Sequence, residues 1–160
     1  MITKDQLNQL FTYNNGKLLY KKPPSKKFKT GDLAGYLSCG KYWKIGITKK
    51  VYRLHRVIFM MHHGYLPEIV DHIDGNTLNN KIENLRAANQ SKNQLNMSLK
   101  VDNKSGYKNV HWNKQRNKWA VHVRIDGKQK YLGLFANLEL ADLVAQEARD
   151  KYHKEFARHI

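Results

Sequence analysis

Four polar residues near the middle of the chain have the types and spacing of a site that could cleave a phosphodiester. Asp71 and His72 are adjacent, Asn84 follows His72 by 12 residues, and Asn93 follows Asn84 by 9. A carboxylate with a second oxygen ligand from a following helix can hold a divalent ion, which stabilises charge on phosphoryl and leaving oxygens. An imidazole with an ordinary pKa of about 6.5 is suited to activating a water molecule. These residues therefore predict a hydrolytic site.

The local geometry leaves an alternative open. Adjacent side chains on an extended strand point to opposite faces, so a bulge or a strand end is needed to aim Asp71 and His72 at one phosphate. The stretch 70–76 also has the composition of an ordinary turn-forming loop, because Asp, Asn and Gly favour turns. An EF-hand calcium loop is excluded, since its third and fifth positions, counted from Asp71, are Ile73 and Gly75.

The charge of the chain indicates a polyanionic partner. Lys and Arg number 29 against 13 Asp and Glu, which gives a net charge of +16. This balance, with three Trp and nine Tyr, is typical of a nucleic-acid-binding protein. A membrane surface is the rival partner, but the basic residues are spread along the chain rather than gathered on one amphipathic helix. A phosphodiester-cutting site within a polycation suggests a nuclease.

Cysteine usage and hydropathy indicate the compartment. The single cysteine, Cys39, excludes a disulfide within the chain and a Cys-rich zinc finger. The first ten residues lack the apolar core of a signal peptide, and the longest apolar stretch, 57–61, is too short to span a bilayer. We therefore expect a soluble cytoplasmic protein without a membrane partner.

Periodicity predicts the elements that position the polar residues. The first 50 residues are predicted to be β-rich, with a turn at 14–16 and strands at 18–20, 32–37, 42–47 and 51–53. A helix over 54–63 follows from the apolar spacing of Leu54, Val57, Ile58 and Met61, and Gly64 is its natural stop. A hairpin-like region with an Asp74–Gly75 turn comes next. Asn89 is the predicted N-cap of a short helix that carries Asn93.

The rest of the chain is predicted to form a linker and a second α+β unit. Residues 97–104 are rich in Asn, Lys and Ser, which favours a linker. Alternation over 120–125 predicts a half-buried strand, and Asp126–Gly127 predicts a tight turn into a partner strand at 131–135. From Leu138 the apolar period becomes helical.

Several linked motifs in residues 53–96 resemble the HNH endonuclease family, of the type found in phage and intron-encoded homing enzymes. The matching stretches are RLHR at 53–56, VDHIDGN at 70–76, LNNKIENL at 78–85, and Asn93. The resemblance implies a ββα-metal fold, in which two strands and a helix surround one divalent ion.

The same resemblance implies roles for individual residues. Asp71 and Asn93 would be the metal ligands, His72 the general base, and Asn84 the residue that pins the loop presenting His72. The family's name-giving motif ends in His where this chain has Asn93. Two oxygen ligands favour Mg²⁺ or Mn²⁺ over Zn²⁺, with one ion per active site. A zinc site made from His55, His62 and His63 would lack ligands.

Residues 105–157 resemble the plant APETALA or ethylene-response-factor DNA-binding domain. The matching stretches are SGYKNV at 105–110, KWAVHVR at 118–124, YLGLF at 131–135 and the helix from Leu138. The resemblance implies a three-stranded antiparallel sheet packed on one helix, with the exposed sheet face on duplex DNA. Together the two resemblances give these candidate DNA-binding residues: Arg53, His55, Arg56, Lys108, His111, Lys118, His122, Arg124, Lys130 and Tyr131.

These inferences combine into one hypothesis. The fold is expected to be α+β, with a β-rich segment at 1–50, an HNH core at 51–96, a linker at 97–104 and a DNA-binding domain at 105–160. The function is expected to be metal-dependent cleavage of double-stranded DNA by a phage-encoded nickase or homing-type enzyme, as a monomer or homodimer. Two alternatives stay open: a non-catalytic, sequence-specific DNA-binding protein that uses the HNH segment as scaffold, and a structure-specific nuclease of phage DNA.

Overall fold

The computed structural model describes residues 2–97, 99 and 102–159 of the chain. Helices and small antiparallel sheets form two compact units, Met1–Asn89 and Gln90–Ile160. The predicted α+β class is confirmed. No helix within the described ranges has the length and apolar character that crossing a membrane requires.

The first unit contains two helices and three small sheets. Its strands pair antiparallel in the orders β1-β2-β3, β4-β5-β6 and β7-β8. The elements are α1 (Lys4–Leu10), β1 (Phe11–Asn14), β2 (Lys17–Tyr20), β3 (Leu33–Ala34), β4 (Tyr36–Ser38), β5 (Tyr42–Ile47), β6 (Lys50–Arg53), α2 (Leu54–His63), β7 (Ile69–His72) and β8 (Leu85–Ala88).

Local sequence accounts for most of these boundaries. Asn15 and Gly16 both have positive φ angles, as a two-residue hairpin turn between β1 and β2 requires. Gly64 ends α2 in the left-handed conformation, with φ of 78°. Gly35, with φ of 107°, divides the strand predicted over 32–37 into β3 and β4. Helix α1 was not predicted, although Thr3 and Gln6 form a capping box at its start.

One apolar core joins the N-terminal strands to helix α2. The predicted stripe of α2 is buried, and it packs with residues from α1, β1, β2, β7 and β8. The core residues of these five elements are Leu7, Phe11, Leu18, Tyr20, Val70 and Leu85. The structure thus divides the chain after residue 89, whereas the sequence suggested a separate segment ending at residue 50. The N-terminal residues bury their apolar side chains against α2, so the two parts form one unit.

The second unit has the strand and helix arrangement predicted for it. A sheet of order β11-β10-β9 carries α4 on one face. Its core places Val110, Val121 and Val123 against alanines of the helix. Asp126 and Gly127 have positive φ angles and form the predicted turn. The elements are α3 (Gln90–Leu95), β9 (Val110–Asn113), β10 (Lys118–Ile125), β11 (Lys128–Phe135), α4 (Leu138–His153) and a 3-10 turn (Lys154–Phe156).

The predicted linker falls within the second unit. Ser98, Lys100 and Val101 lie outside the described residues. Asn103 is hydrogen bonded to the start of the domain that follows: its Oδ1 accepts from the backbone N–H of Ser105 at 2.9 Å, and its Nδ2 donates to the carbonyl of Tyr107 at 3.1 Å. At Asn103, therefore, the chain is fixed to the adjoining structure.

Candidate active site

The β7–β8 hairpin presents the predicted catalytic pair. His72 is the last residue of β7 and pairs with Leu85, while Asp71 pairs with Arg86. Both Asp71 and His72 are buried. A loop over 73–84 joins the strands, in agreement with the hairpin-like region predicted from the sequence, and the backbone N–H of Gly75 donates to the carbonyl of His72 at 2.9 Å in a turn at its start. His72 is thus at the end of a strand, still paired with Leu85.

Asn84 closes this loop from inside. Its Nδ2 donates to Asp74 Oδ1 at 2.9 Å and to the carbonyl of Asn79 at 2.8 Å, and its Oδ1 accepts from the backbone N–H of Asp74 at 3.1 Å. Burial alone would raise the pKa of Asp74, but hydrogen bonds from Asn79, Asn84 and the backbone of Asn76 outweigh it and lower that pKa. The contacts of Asn84 are therefore those of a residue that fixes the loop.

The His72 ring contacts Asn80 and His55. Asn80 Oδ1 lies 3.1 Å from His72 Nε2. The ring of His55 meets that of His72 edge to face, with centroids 4.8 Å apart. Asn80 did not stand out in the sequence, because an Asn in a loop rich in Asp, Asn and Gly is indistinguishable from a turn former.

Asp71 forms an ion pair that the sequence did not indicate. Arg86 Nη2 and Nε donate to Asp71 Oδ2 at 2.9 and 3.0 Å, and both side chains are largely buried. A carboxylate has two oxygens and about four lone-pair sites, so one group can accept from an Arg and also ligate a cation. Arg86 balances the charge of Asp71 within the hairpin.

The oxygen donors fit a hard divalent ion by their chemistry. Asp71 offers a carboxylate and Asn93 an amide oxygen, and Mg²⁺ binds through one or two protein oxygens while it keeps several waters. Asn93 lies half-buried on α3, in the second unit. Across the described ranges, no group of three or more His, Cys, Asp and Glu side chains is arranged to hold a metal.

The structure distinguishes the three residues predicted to contact DNA near the site. Arg53 is exposed, with its guanidinium 4.5 Å from the centre of the Tyr42 ring. His55 is buried, and burial followed by the charges of His72, Arg53 and Arg56 lowers its pKa to about 3. Arg56 donates to the backbone carbonyls of Glu68 and Pro67. His55 is thus buried, Arg56 is half-buried and bound to backbone carbonyls, and Arg53 is exposed.

His62 and His63 lie away from a common site. His62 Nδ1 is 2.8 Å from the carbonyl oxygen of Ile58, and its ring contacts Tyr13 edge to face. His63 packs on Phe59, with ring centroids 4.2 Å apart. Contacts with aromatic side chains explain the positions of His62 and His63, and these contacts do not involve a metal.

The sheet of the second unit has one face toward α4 and one outer face. Val121 and Val123 point to the helix, so Lys118, His122 and Arg124 alternate onto the outer face of β10. His111 and Tyr131 join them from the flanking strands, with ring centroids 4.8 and 5.2 Å from that of His122. Burial, followed by the charge of His111, lowers the pKa of His122.

Two predicted DNA contacts lie elsewhere in that unit. Lys108 Nζ donates to the backbone carbonyls of Leu95 and Met97 at 2.8 and 2.6 Å. Burial, followed by the charges of Arg149 and Arg158, lowers the pKa of Lys108 to about 8. Lys130 points to the helix side, with its ammonium 5.4 Å from the centre of the Tyr152 ring. Lys108 is thus engaged by backbone carbonyls, as Arg124 is engaged by Gln94 through Nη1 and Oε1 at 3.1 Å, and Lys130 faces the helix side.

Comparisons with known proteins agree with the first of the two resemblances. A family model described as HNH endonuclease matches residues 52–95, a range that includes all four polar residues of the predicted site. Protein 3.8 of Escherichia phage T7 is 36% identical over 113 residues, which cover 68% of this chain and 91% of that protein. No solved structure matches the chain.

Proposed function

Because this chain belongs to the family of Protein 3.8 of Escherichia phage T7 and carries an HNH endonuclease domain at residues 52–95, we propose that it is a metal-dependent DNA endonuclease. The observation that carries the proposal is His72 at the end of β7, beside Asp71, in a loop locked by Asn84. The phage relative supports a phage-encoded enzyme that acts in the cytoplasm of the host.

The reaction is hydrolysis of a backbone phosphodiester. His72 accepts a proton from a water molecule, whose oxygen forms a new bond to phosphorus. The bond between phosphorus and the 3′ oxygen breaks, and that oxygen takes up a proton. The products carry a 5′-phosphate and a 3′-hydroxyl, as in the family this chain resembles. Asn84 acts by holding the loop and does not contact the substrate.

Asp71 and Asn93 would hold one Mg²⁺ or Mn²⁺ ion. When bound, the ion supplies stabilisation of the charge that develops on the phosphoryl and leaving oxygens. Arg86 orients the Asp71 carboxylate through two hydrogen bonds to Oδ2. The side chain of Asp71 is thereby held in one rotamer, which reduces the ordering cost of binding a cation.

Binding to duplex DNA rests on the basic surfaces. The outer face of the second unit carries His111, Lys118, His122, Arg124 and Tyr131, an arrangement that suits phosphates and base edges in a groove. Its assignment to an APETALA-type domain remains our prediction. One active site per chain would give a nick, and paired chains would give a double-strand cut.

Cleavage of a supercoiled plasmid tests the function directly. We expect open-circle product with Mg²⁺ or Mn²⁺, none with EDTA, and a rate loss of about 10²–10⁴-fold for His72→Ala, the contribution of a positioned general base. His63→Ala is the matched control, because His63 packs on Phe59 and should retain cleavage. Metal-independent cleavage, or full activity of His72→Ala, would contradict the proposal.

A second function is favoured by one observation. The buried ion pair between Asp71 and Arg86 neutralises the carboxylate without a metal, as suits an HNH segment used as scaffold in a DNA-binding protein. Tight, salt-sensitive DNA binding with no cleavage of plasmid, host DNA or phage DNA would establish this alternative.

A further inference from the structure

The loop between β2 and β3, residues 21–32, carries the densest cluster of positive charge in the sequence, and we call it the lysine loop. Five of the nine residues from 21 to 29 are lysine, more than in any other run of nine residues, and all five are exposed. Charges of one sign at this density repel one another in the folded state, so stability does not explain the cluster. The five residues are Lys21, Lys22, Lys26, Lys27 and Lys29.

The carboxylate of the lysine loop does not neutralise this charge. Asp32 is the only acidic residue of the loop, and its Oδ2 accepts from the backbone N–H of Lys29 at 2.7 Å. Lys21 Nζ donates to the backbone carbonyl of Asn8 at 2.9 Å, which leaves its charge unpaired with an acid. Across the described ranges, no ion pair joins a lysine of this loop to a carboxylate. The loop is therefore a strongly positive surface.

Backbone hydrogen bonds and one aromatic contact hold the lysine loop against the core. The backbone N–H of Lys21 donates to the carbonyl of Leu10, and that of Gly31 donates to the carbonyl of Tyr20, both at 2.8 Å. The ring of Phe28 packs on that of Tyr20, a core residue, with centroids 5.3 Å apart. A backbone that is already held in place reduces the ordering cost of binding a partner.

The lysine loop is attached to the same core as the proposed catalytic hairpin. Tyr20 belongs to the apolar core of the first unit, together with Val70 of β7 and Leu85 of β8. These two strands present Asp71 and His72. A phosphate bound by the loop would therefore be fixed relative to the hairpin, and fixed placement of a substrate is a large part of catalysis.

The side chains of the lysine loop suit phosphates rather than bases or lipid. The loop contains no Arg, Asn or Gln, the residues that read base edges through paired hydrogen bonds. Lysine is a compact point charge, and contacts to phosphate carry no sequence information directly. The one aromatic residue, Phe28, packs on Tyr20, so the loop offers no unpacked aromatic group for insertion into a bilayer.

We propose that the lysine loop binds the phosphate backbone of duplex DNA without regard to sequence, in addition to the outer face of the second unit. The inference deepens the proposed nuclease function and rests on it for the choice of DNA as the polyanion. Binding is measured without cleavage, so the two proposals can fail separately.

Two matched double variants of the full-length chain test the loop. Lys26→Gln with Lys27→Gln removes two charges from the loop, and Lys49→Gln with Lys50→Gln removes two adjacent, exposed charges elsewhere in the first unit. Fluorescence anisotropy in EDTA, over a series of KCl concentrations, measures binding to two labelled duplexes of unrelated sequence. We expect the loop variant to bind both duplexes about 2- to 30-fold more weakly, the range for two exposed ion pairs. Its salt slope should fall by about 2, one for each lost phosphate contact.

The control variant should change both quantities far less. Circular dichroism checks that both variants, altered only at exposed side chains, remain folded. Equal losses in the two variants would overturn the inference, because the loop would then act only through total charge. A loss seen with one duplex and not the other would overturn the assignment to phosphates. Weaker binding of the loop variant to anionic phosphatidylserine vesicles, with DNA binding unchanged, would overturn it in favour of a membrane surface. Selective loss of DNA affinity supports the loop assignment even if the wild type cleaves no plasmid, a result that contradicts only the nuclease proposal.

Discussion

The side chain of Asn84 makes three hydrogen bonds inside the loop. Its removal should therefore lower the free energy of unfolding more than the loss of so few atoms would suggest. In Asn84→Ala the carboxylate of Asp74 loses one donor, and the carbonyl of Asn79 loses its donor too. We expect the free energy of unfolding to fall by about 1–3 kcal/mol, because each lost hydrogen bond contributes about 0.5–1.5 kcal/mol net. Urea denaturation of both proteins at neutral pH measures this difference.

The same loss should depend on pH through Asp74. The folded state lowers the pKa of Asp74, so its contribution to stability is present above the unfolded-state pKa and is lost as the pH falls through the folded-state pKa. The stability difference between wild type and Asn84→Ala should therefore shrink in acid. Asn113→Ala is the control, because Asn113 Oδ1 accepts from the backbone N–H of Arg116 and no carboxylate takes part in that hydrogen bond. A difference that stays constant down to low pH would contradict this account.

At the residue scale, the sequence pattern identifies the site residues by their spacing, but it does not identify the residues that hydrogen bond to them. Asp71, His72 and Asn84 stand in a recognisable pattern, and the structure brings them to one hairpin. Asn80 and Arg86 carry no such signal, because their roles depend on the cross-strand register and on the path of the loop. The burial of His55 was not predicted either, because a His in a basic stretch has the sequence context of a residue that contacts phosphate.

At the scale of elements, Gly35 separates β3 from β4 where the sequence suggested one strand. Its φ is 107°, and a Cβ there would lie 2.6 Å from the carbonyl oxygen of Lys44. Gly35→Ala should destabilise the first unit by at least about 1–3 kcal/mol, the cost of one strained backbone conformation, with the steric clash in addition.

Gly46 is the matched control for this prediction. It lies on β5, its φ is not positive, and a Cβ there meets no atom within 4 Å. Gly46→Ala should therefore leave the melting temperature nearly unchanged or raise it slightly. Thermal unfolding followed by circular dichroism compares the two variants. Equal melting temperatures would show that the close approach at Gly35 relaxes without cost.

Helix and strand bounds were predicted correctly where nearby residues mark them, through the spacing of apolar residues or through a turn-forming residue. The bounds of β5 and α2 match the predicted ranges because alternation, helical spacing and Gly64 mark them. Helix α1 was missed although the capping residues Thr3 and Gln6 were visible, because a seven-residue helix has too few turns for a clear apolar period. The division after residue 89 depends on packing between distant segments, which no local pattern encodes.

For the whole molecule, the net charge of +16 predicts strong salt dependence of DNA binding. Each cation that contacts a phosphate releases counterions, so the logarithm of the association constant should fall linearly with the logarithm of salt concentration. If 6–10 phosphates are contacted, affinity should drop by about 10³–10⁵-fold between 50 and 200 mM salt. Net charge alone does not say which lysines make these contacts.

Replacing Lys118 or Lys151 distinguishes DNA binding through one surface from DNA binding through the total charge of the chain. Lys118 lies on the outer face of the sheet, whereas Lys151 is an exposed residue of α4, which packs on the opposite face. Lys118→Ala should weaken binding and reduce the salt slope by about 1, the value for one lost phosphate contact. Lys151→Ala removes the same charge and should leave both quantities nearly unchanged. Fluorescence anisotropy of labelled duplex DNA over a series of KCl concentrations measures them. Equal losses in the two variants would show that the chain binds DNA through its overall charge, because position on the sheet would then make no difference.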